Sequence, residues 1–153
     1  MMTTPVNRQS DSSLHILVAE DGLVNRQLAL RLLEHEGHTV TVVANGSDAV
    51  QRLQEGRYGV VLMDVEMPVM DGLTALKHLM IRSPCPAVML STLTKEGAGI
   101  TFDALRYGAL DFVTKPSNLP EEDLEGQRRA ICRKVRLAAA VEVSELRYMR
   151  ATE

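Results

Sequence analysis

Apolar positions fall into two rhythms along this chain. Short unbroken runs recur at His15-Ile16-Leu17-Val18-Ala19, Thr39 to Val43, Gly59 to Met63, Ala87 to Leu90 and Leu110 to Val113. Each is brief and apolar or β-branched, which suits strands buried on both faces. Between them the spacing turns helical. Leu23 to Glu36 sets Leu28, Leu32 and Leu33 on one side, and Gly37 stops it. Ser47 to Glu55 carries Ala49, Val50 and Leu53, closed by Gly56. Leu73 to Arg82 carries Leu73, Leu76 and Met80, with Pro84 beyond. Ile100 to Tyr107 carries Ala104 and Leu105, closed by Gly108. Strand and helix alternate throughout, which predicts an α/β fold, a doubly wound five-stranded parallel sheet with helices on both faces.

A last helical stretch begins after Pro120, a residue suited to a first turn. It is predicted to run from Glu121 to about Arg150, roughly 45 Å at about 1.5 Å per residue. Acids lead (Glu121, Glu122, Asp123, Glu125) and bases follow (Arg128, Arg129, Arg133, Lys134, Arg136), as the helix dipole favours. Leu124, Ile131 and Val135 form a core stripe, from which Leu137, Val141 and Leu146 drift. This extended helix reads equally as a frayed end and as a linker or dimerisation segment. Residues 1–13 are polar and read as a disordered leader, so the domain is placed at 14–120 and the helix at 121–153.

Composition narrows the function. At 153 residues, 45% hydrophobic and 24% charged, the chain fits one ordinary globular domain. Net charge is −3 and aromatics are 3%, which argues against nucleic-acid partners. Cys85 and Cys132 lie far apart with no CxxC, so neither a disulfide scaffold nor a zinc site is expected. No apolar run nears the roughly 20 residues of a membrane span. A cytoplasmic setting is expected.

The chemistry gathers at the strand ends. In a doubly wound sheet ligands bind beyond the carboxyl ends of the strands. There the runs deliver Glu20-Asp21, Asp64, Ser91-Thr92 and Lys115-Pro116. One such residue alone is usually a solvated loop residue, but together these types suggest a site. Three crowded carboxylates repel one another, and a cation relieves them. Mg²⁺ favours carboxylate and carbonyl oxygens, so Asp64 and the Glu66 backbone carbonyl are candidate ligands. The turn after Asp64 is set by Pro68 and Gly72. An aspartate beside Mg²⁺ and a lysine can attack a phosphoryl group, and Ser91 offers a hydroxyl to a phosphoryl oxygen.

These residues, with MDVEMPVMDG (63–72) and GALDFVTKP (108–116), resemble the receiver domain of two-component response regulators over about residues 14–118. The resemblance implies a flavodoxin-like order of strands. It implies Asp64 as phosphoacceptor for the phosphohistidine of a sensor histidine kinase or a histidine phosphotransfer domain. Asp21, Asp64 and the Glu66 carbonyl would hold Mg²⁺, with Glu20 acting through water. Lys115 would contact the phosphoryl group, with a cis bond before Pro116. Ser91 and Phe112 would form the switch read by a downstream output partner or fused domain. Glu20 stands where Asp is commoner, and the acid at Glu66 leaves the dephosphorylation rate open.

Residues 89–117 are similar to the receiver of chemotaxis methylesterases, and residues 18–38 to receivers of hybrid histidine kinases. The chain therefore reads either as an isolated receiver or as a regulatory fragment of a longer protein such as a protein-glutamate methylesterase. As a receiver it is expected to be no enzyme beyond reaction with phosphodonors and slow loss of its own acyl phosphate. Two rivals remain. One is a Mg²⁺-dependent phosphohydrolase with an aspartate nucleophile, which Asp64-Val65-Glu66 faintly resembles. The other is a flavodoxin-like interaction module with a dead site.

Overall fold

The computed structural model of the chain describes residues 13–91, 95–115 and 120–146; for 95–98, 100 and 101 only their place in a helix is described. Five strands, β1 (His15–Ala19), β2 (Thr39–Val43), β3 (Val60–Asp64), β4 (Ala87–Ser91) and β5 (Asp111–Thr114), pair in parallel in the order β2-β1-β3-β4-β5. Between them run α1 (Leu23–His35), α2 (Gly46–Glu55), α3 (Gly72–Arg82) and α4 (Lys95–Arg106), and α5 (Leu124–Ala139) follows a short 3₁₀ turn, Glu121–Asp123.

The apolar runs became strands because each has to fill two cores. Alternate side chains point to opposite faces. Leu17, Ala19, Val61, Met63, Ala87 and Met89 pack with α2, α3 and α4. Ile16, Val18, Val60, Leu62, Val88 and Leu90 pack with α1 and α5. The two faces are therefore filled by neighbours in sequence.

Side-chain caps set two helix starts. Asn45 Oδ1 accepts the Asp48 N–H at 2.8 Å, and Asp71 Oδ1 accepts the Thr74 N–H at 2.7 Å. Gly37 (φ 93°) and Gly108 (φ 119°) end helices in the left-handed conformation that glycine adopts at least cost. α4 begins at Lys95, five residues before the Ile100 expected from spacing. Strands β3, β4 and β5 reach one residue further than their apolar runs, so Asp64, Ser91 and Thr114 are the last residues of strands.

The extended C-terminal helix expected from the sequence is present, from the turn at Glu121 through Ala139, and ends short of the Arg150 that its spacing allowed. It stops at Ala139, and the Ala140 and Val141 N–H groups bond back three residues to Leu137 and Ala138. β-branched Val141 and Val143 weaken helix propagation here. The break also allows burial that a straight helix would forgo. After the bend, residues 143–146 form another helical turn, Leu146 is 3% exposed, and Val143 lines a groove with Leu53, Tyr58, Pro84 and Cys85. These residues adjoin the amino ends of β3 and β4. The remaining stretch to Arg150 lies outside the described residues, as do 1–12 of the expected leader.

His38 joins α1 to β2 and is almost wholly buried. Its Nδ1 accepts the Leu14 N–H at 3.1 Å, so the ring proton sits on Nε2, which is buried without a partner. Burial, and then the Arg136 charge, lower its pKa below 6.5, against a smaller upward pull from Glu36. A ring kept neutral in the fold contributes stability that is complete above pH 6.5 and is lost as pH falls toward the depressed folded value. In urea unfolding followed across that interval, the native chain is expected to lose more stability than His38→Gln. Equal pH profiles would refute this account of the ring.

Candidate functional site

The order β2-β1-β3-β4-β5 reverses direction between β1 and β3, and in a doubly wound sheet the carboxyl ends at such a switch point are where ligands bind. Glu20 and Asp21 follow β1, Asp64 ends β3, Ser91 ends β4 and Lys115 follows β5. The fold thus brings these sequence-predicted residues to one edge. Glu20 and Asp64 are buried at 0% and 1% exposure, while Asp21 faces solvent. Carboxylate oxygens of Glu20, Asp21 and Asp64 lie within 4.8 Å of one another.

Lys115 ties the cluster together. Its Nζ donates to Asp64 Oδ2 at 2.8 Å and lies 3.5 Å from Glu20 Oε1. Its backbone N–H bonds the Ser91 carbonyl at 2.9 Å. Asp64 Oδ1 accepts the Glu66 N–H at 3.2 Å. Glu20 Oε2 accepts the Gly22 N–H at 2.7 Å, and Oε1 is buried with no hydrogen-bond partner.

Crowding shows in the titration of the group. Burial pushes Glu20 up from 4.5 to about 7; the Gly22 N–H pulls it down, the Asp64 charge adds to the rise and Lys115 opposes it. Burial raises Asp64 as well, and the Lys115 bond offsets only part of that. For Lys115, burial works against the ammonium, but Asp64 and Glu20 outweigh it and its pKa is raised. Three carboxylates against one ammonium, with a buried Glu20 oxygen that makes no hydrogen bond and hard oxygen donors, fit a divalent cation of the Mg²⁺ kind.

Backbone hydrogen bonds, together with the Asp64 and Asp71 side chains, hold the turn after Asp64. Gly72 N–H bonds the Val65 carbonyl at 2.8 Å, Met70 N–H bonds Pro68 at 2.7 Å, and Gly46 N–H bonds Met70 at 2.8 Å. A Cβ on Gly72 would stand 2.0 Å from the Asp64 carbonyl oxygen, and one on Gly46 would stand 2.3 Å from that of Met70. Only glycine permits either approach. Val69 takes φ 67° at the tip and is 85% exposed. The part of Gly46 is invisible in sequence, because its contact lies 24 residues downstream.

The other predicted residues are placed as follows. Ser91 is buried. Glu66 has an exposed side chain and sits on the turn. Phe112 is paired with Met89 in the sheet, yet is 41% exposed, its ring outside the core. Thr92 and Pro116, with the expected cis bond, lie outside the described residues. Two residues of α5 not singled out from sequence also act on β5: the Gln127 side chain bonds the Thr114 carbonyl, and Lys134 Nζ bonds that of Phe112 at 2.9 Å.

Compared with known proteins, residues 16–124 match the response regulator receiver domain. This chain is a receiver domain. It is 42% identical over 135 residues to the protein-glutamate methylesterase/protein-glutamine glutaminase of Archaeoglobus fulgidus, covering 88% of this chain and 38% of that one. It is 40% identical over 128 residues to the protein-glutamate methylesterase/protein-glutamine glutaminase of Caldanaerobacter subterraneus, covering 82% of this chain and 35% of that one. The chain thus spans little more than a third of the curated relatives it matches. Among solved structures, the response regulator domain of Thermotoga maritima CheB superposes with TM-score 0.75 at 34% identity, covering 85% of this chain and 98% of that one. A receiver domain from a Pseudomonas aeruginosa sensor histidine kinase, with magnesium coordinated in its active-site cleft, gives TM-score 0.70 at 26% identity, covering 84% and 99%. Among the described residues, no helix of the receiver is long and apolar enough to cross a membrane.

The raised pKa of Glu20 means that its folded-state stability is present below 4.5 and is lost as pH rises through about 7. Glu20→Gln, measured in chelator at about pH 8, is expected to gain on the order of 1–3 kcal/mol over the native chain. The gain should vanish as pH falls below 4.5. Equal urea midpoints at high pH would contradict the crowding described.

Proposed function

We propose that Asp64 accepts a phosphoryl group from the phosphohistidine of a sensor kinase or histidine phosphotransfer domain. The observation that carries this is the Lys115 ammonium 2.8 Å from Asp64 Oδ2, inside a cluster of three carboxylates. An Asp64 carboxylate oxygen attacks phosphorus, the P–N bond breaks, and the histidine nitrogen leaves with the electron pair. An acyl phosphate results. Lys115 is already on the carboxylate and follows charge onto the phosphoryl oxygens. Asp21, Asp64 and the Glu66 carbonyl, with Glu20 behind them, would hold Mg²⁺, which when bound neutralises phosphoryl charge.

The added negative charge draws Lys115 and the Ser91 hydroxyl. Room freed beside Ser91 admits the Phe112 ring, and the face around α4, β5 and α5 changes for its reader. This is a population shift biased by a local electrostatic event. The chain itself turns over nothing but its own acyl phosphate, and cytoplasm is the setting such a partner implies. The aspartate-nucleophile phosphohydrolase loses its support with the receiver assignment.

What reads the switch is best sought among methylesterases. Matches to them extend over 128–139 residues, well beyond one motif. In that setting residues 14–120 are the regulatory unit and 121–153 supply its last helix and the start of a linker. Dimerisation through that helix has weaker support, since Ile131, Val135 and Ala138 are already buried in its own domain.

With beryllofluoride or acetyl phosphate and Mg²⁺, the native chain is expected to form an adduct, seen by mass or by NMR, and Asp64→Asn to form none. An equal response from the variant removes Asp64 as acceptor. Asp21→Ala is expected to weaken Mg²⁺ binding by about tenfold or more in a calorimetric titration. Unchanged affinity would remove Asp21 from the ligand set.

A further inference from the structure

β5 is an edge strand, so the carbonyls on its outer side have no strand partner. Two side chains of α5 take their place. Gln127 reaches Thr114, and Lys134 reaches Phe112. Lys134 does more than fill an acceptor. Its Nζ lies 3.5 Å from Asp111 Oδ1 and 5.3 Å from the centroid of the Phe112 ring.

We propose that Lys134 is a positioning residue that holds Phe112 in its exposed placement, and so sets how readily the receiver passes into its phosphorylated arrangement. Two of its contacts, to the Phe112 carbonyl and to Asp111, depend on backbone and neighbour and survive a rotation of the ring. They fix the ammonium in place. The third, over the ring face, exists only while the ring is out. A contact made in one state alone shifts the balance between states by its own free energy. At a site this exposed a cation–π contact corresponds to roughly a two- to fivefold change in that balance. The inference rests on Phe112 being the moving aromatic of the proposed switch.

The chain has two phenylalanines, Phe102 and Phe112. Fluorophenylalanine labelling therefore gives two ¹⁹F lines, assigned with Phe102→Leu. In Lys134→Met, the Phe112 line without phosphoryl analogue is expected to move toward its position with beryllofluoride and Mg²⁺. Apparent beryllofluoride affinity should rise roughly two- to fivefold. Lys134→Arg keeps a cation over the ring and should return both readouts toward native. In a Phe112→Leu background, Lys134→Met should leave the affinity unchanged, because the ring it acts on is gone. A lysine with only a structural role would lower thermal stability and move neither readout. If the native Phe112 line responds to beryllofluoride but Lys134→Met matches native in both measurements, the positioning role fails while the switch stands. If the native line does not respond, the switch fails and the role of Lys134 with it.

Discussion

One ammonium reaching across the top of the sheet organises this molecule. Lys115 leaves the end of β5, yet its Nζ lies against Asp64 on β3 and near Glu20 beyond β1. β4 stands between. The lysine therefore reaches across from β5 past the end of β4, where its own backbone N–H bonds the Ser91 carbonyl. Burial disfavours the charged form of both carboxylates, and the ammonium offsets part of that. The same pairing joins three strands at the edge where their backbone pairing ends. Shape and chemistry meet in one contact: the cation that offsets the crowded acids also ties the end of β5 to those of β1 and β3.

That cluster is left short of neutrality. Glu20 Oε1 is buried without a hydrogen bond, and burial lifts the pKa of Glu20 and of Asp64. A stability-optimised core would hold apolar groups here. The cost is offset elsewhere in the fold, where the sheet fills two apolar layers. The backbone clasp of Gly46, Met70, Val65 and Gly72 adds rigidity beside the acids without adding charge. The carboxylates are thus set in place by the frame around them before any ligand arrives.

Much of this was legible in the sequence, and the reason is local. The strands are continuous apolar runs because both of their faces are covered, and Gly37 and Gly108 mark helix ends by conformation. Glu20, Asp21, Asp64, Ser91 and Lys115 could be gathered on paper because parallel topology sends every strand end to one edge. What escaped depends on partners far along the chain. Gly46 matters through Met70, and Lys134 through the Phe112 backbone and ring. Periodicity in α5 records a stripe at Ile131 and Val135 and says nothing of where the chain turns away from it.

That turn sets a reach. The bend at Val141 leaves Val143 lining one groove with Tyr58 and Pro84, beside the amino ends of β3 and β4. α5 has carried the chain about 24 Å along its 16 residues by then. A body tethered beyond Leu146 would hang from the pole remote from the acids. To stand level with them again it needs a leash of about seven extended residues, so leash length, before any surface chemistry, decides whether it can touch the face around Phe112.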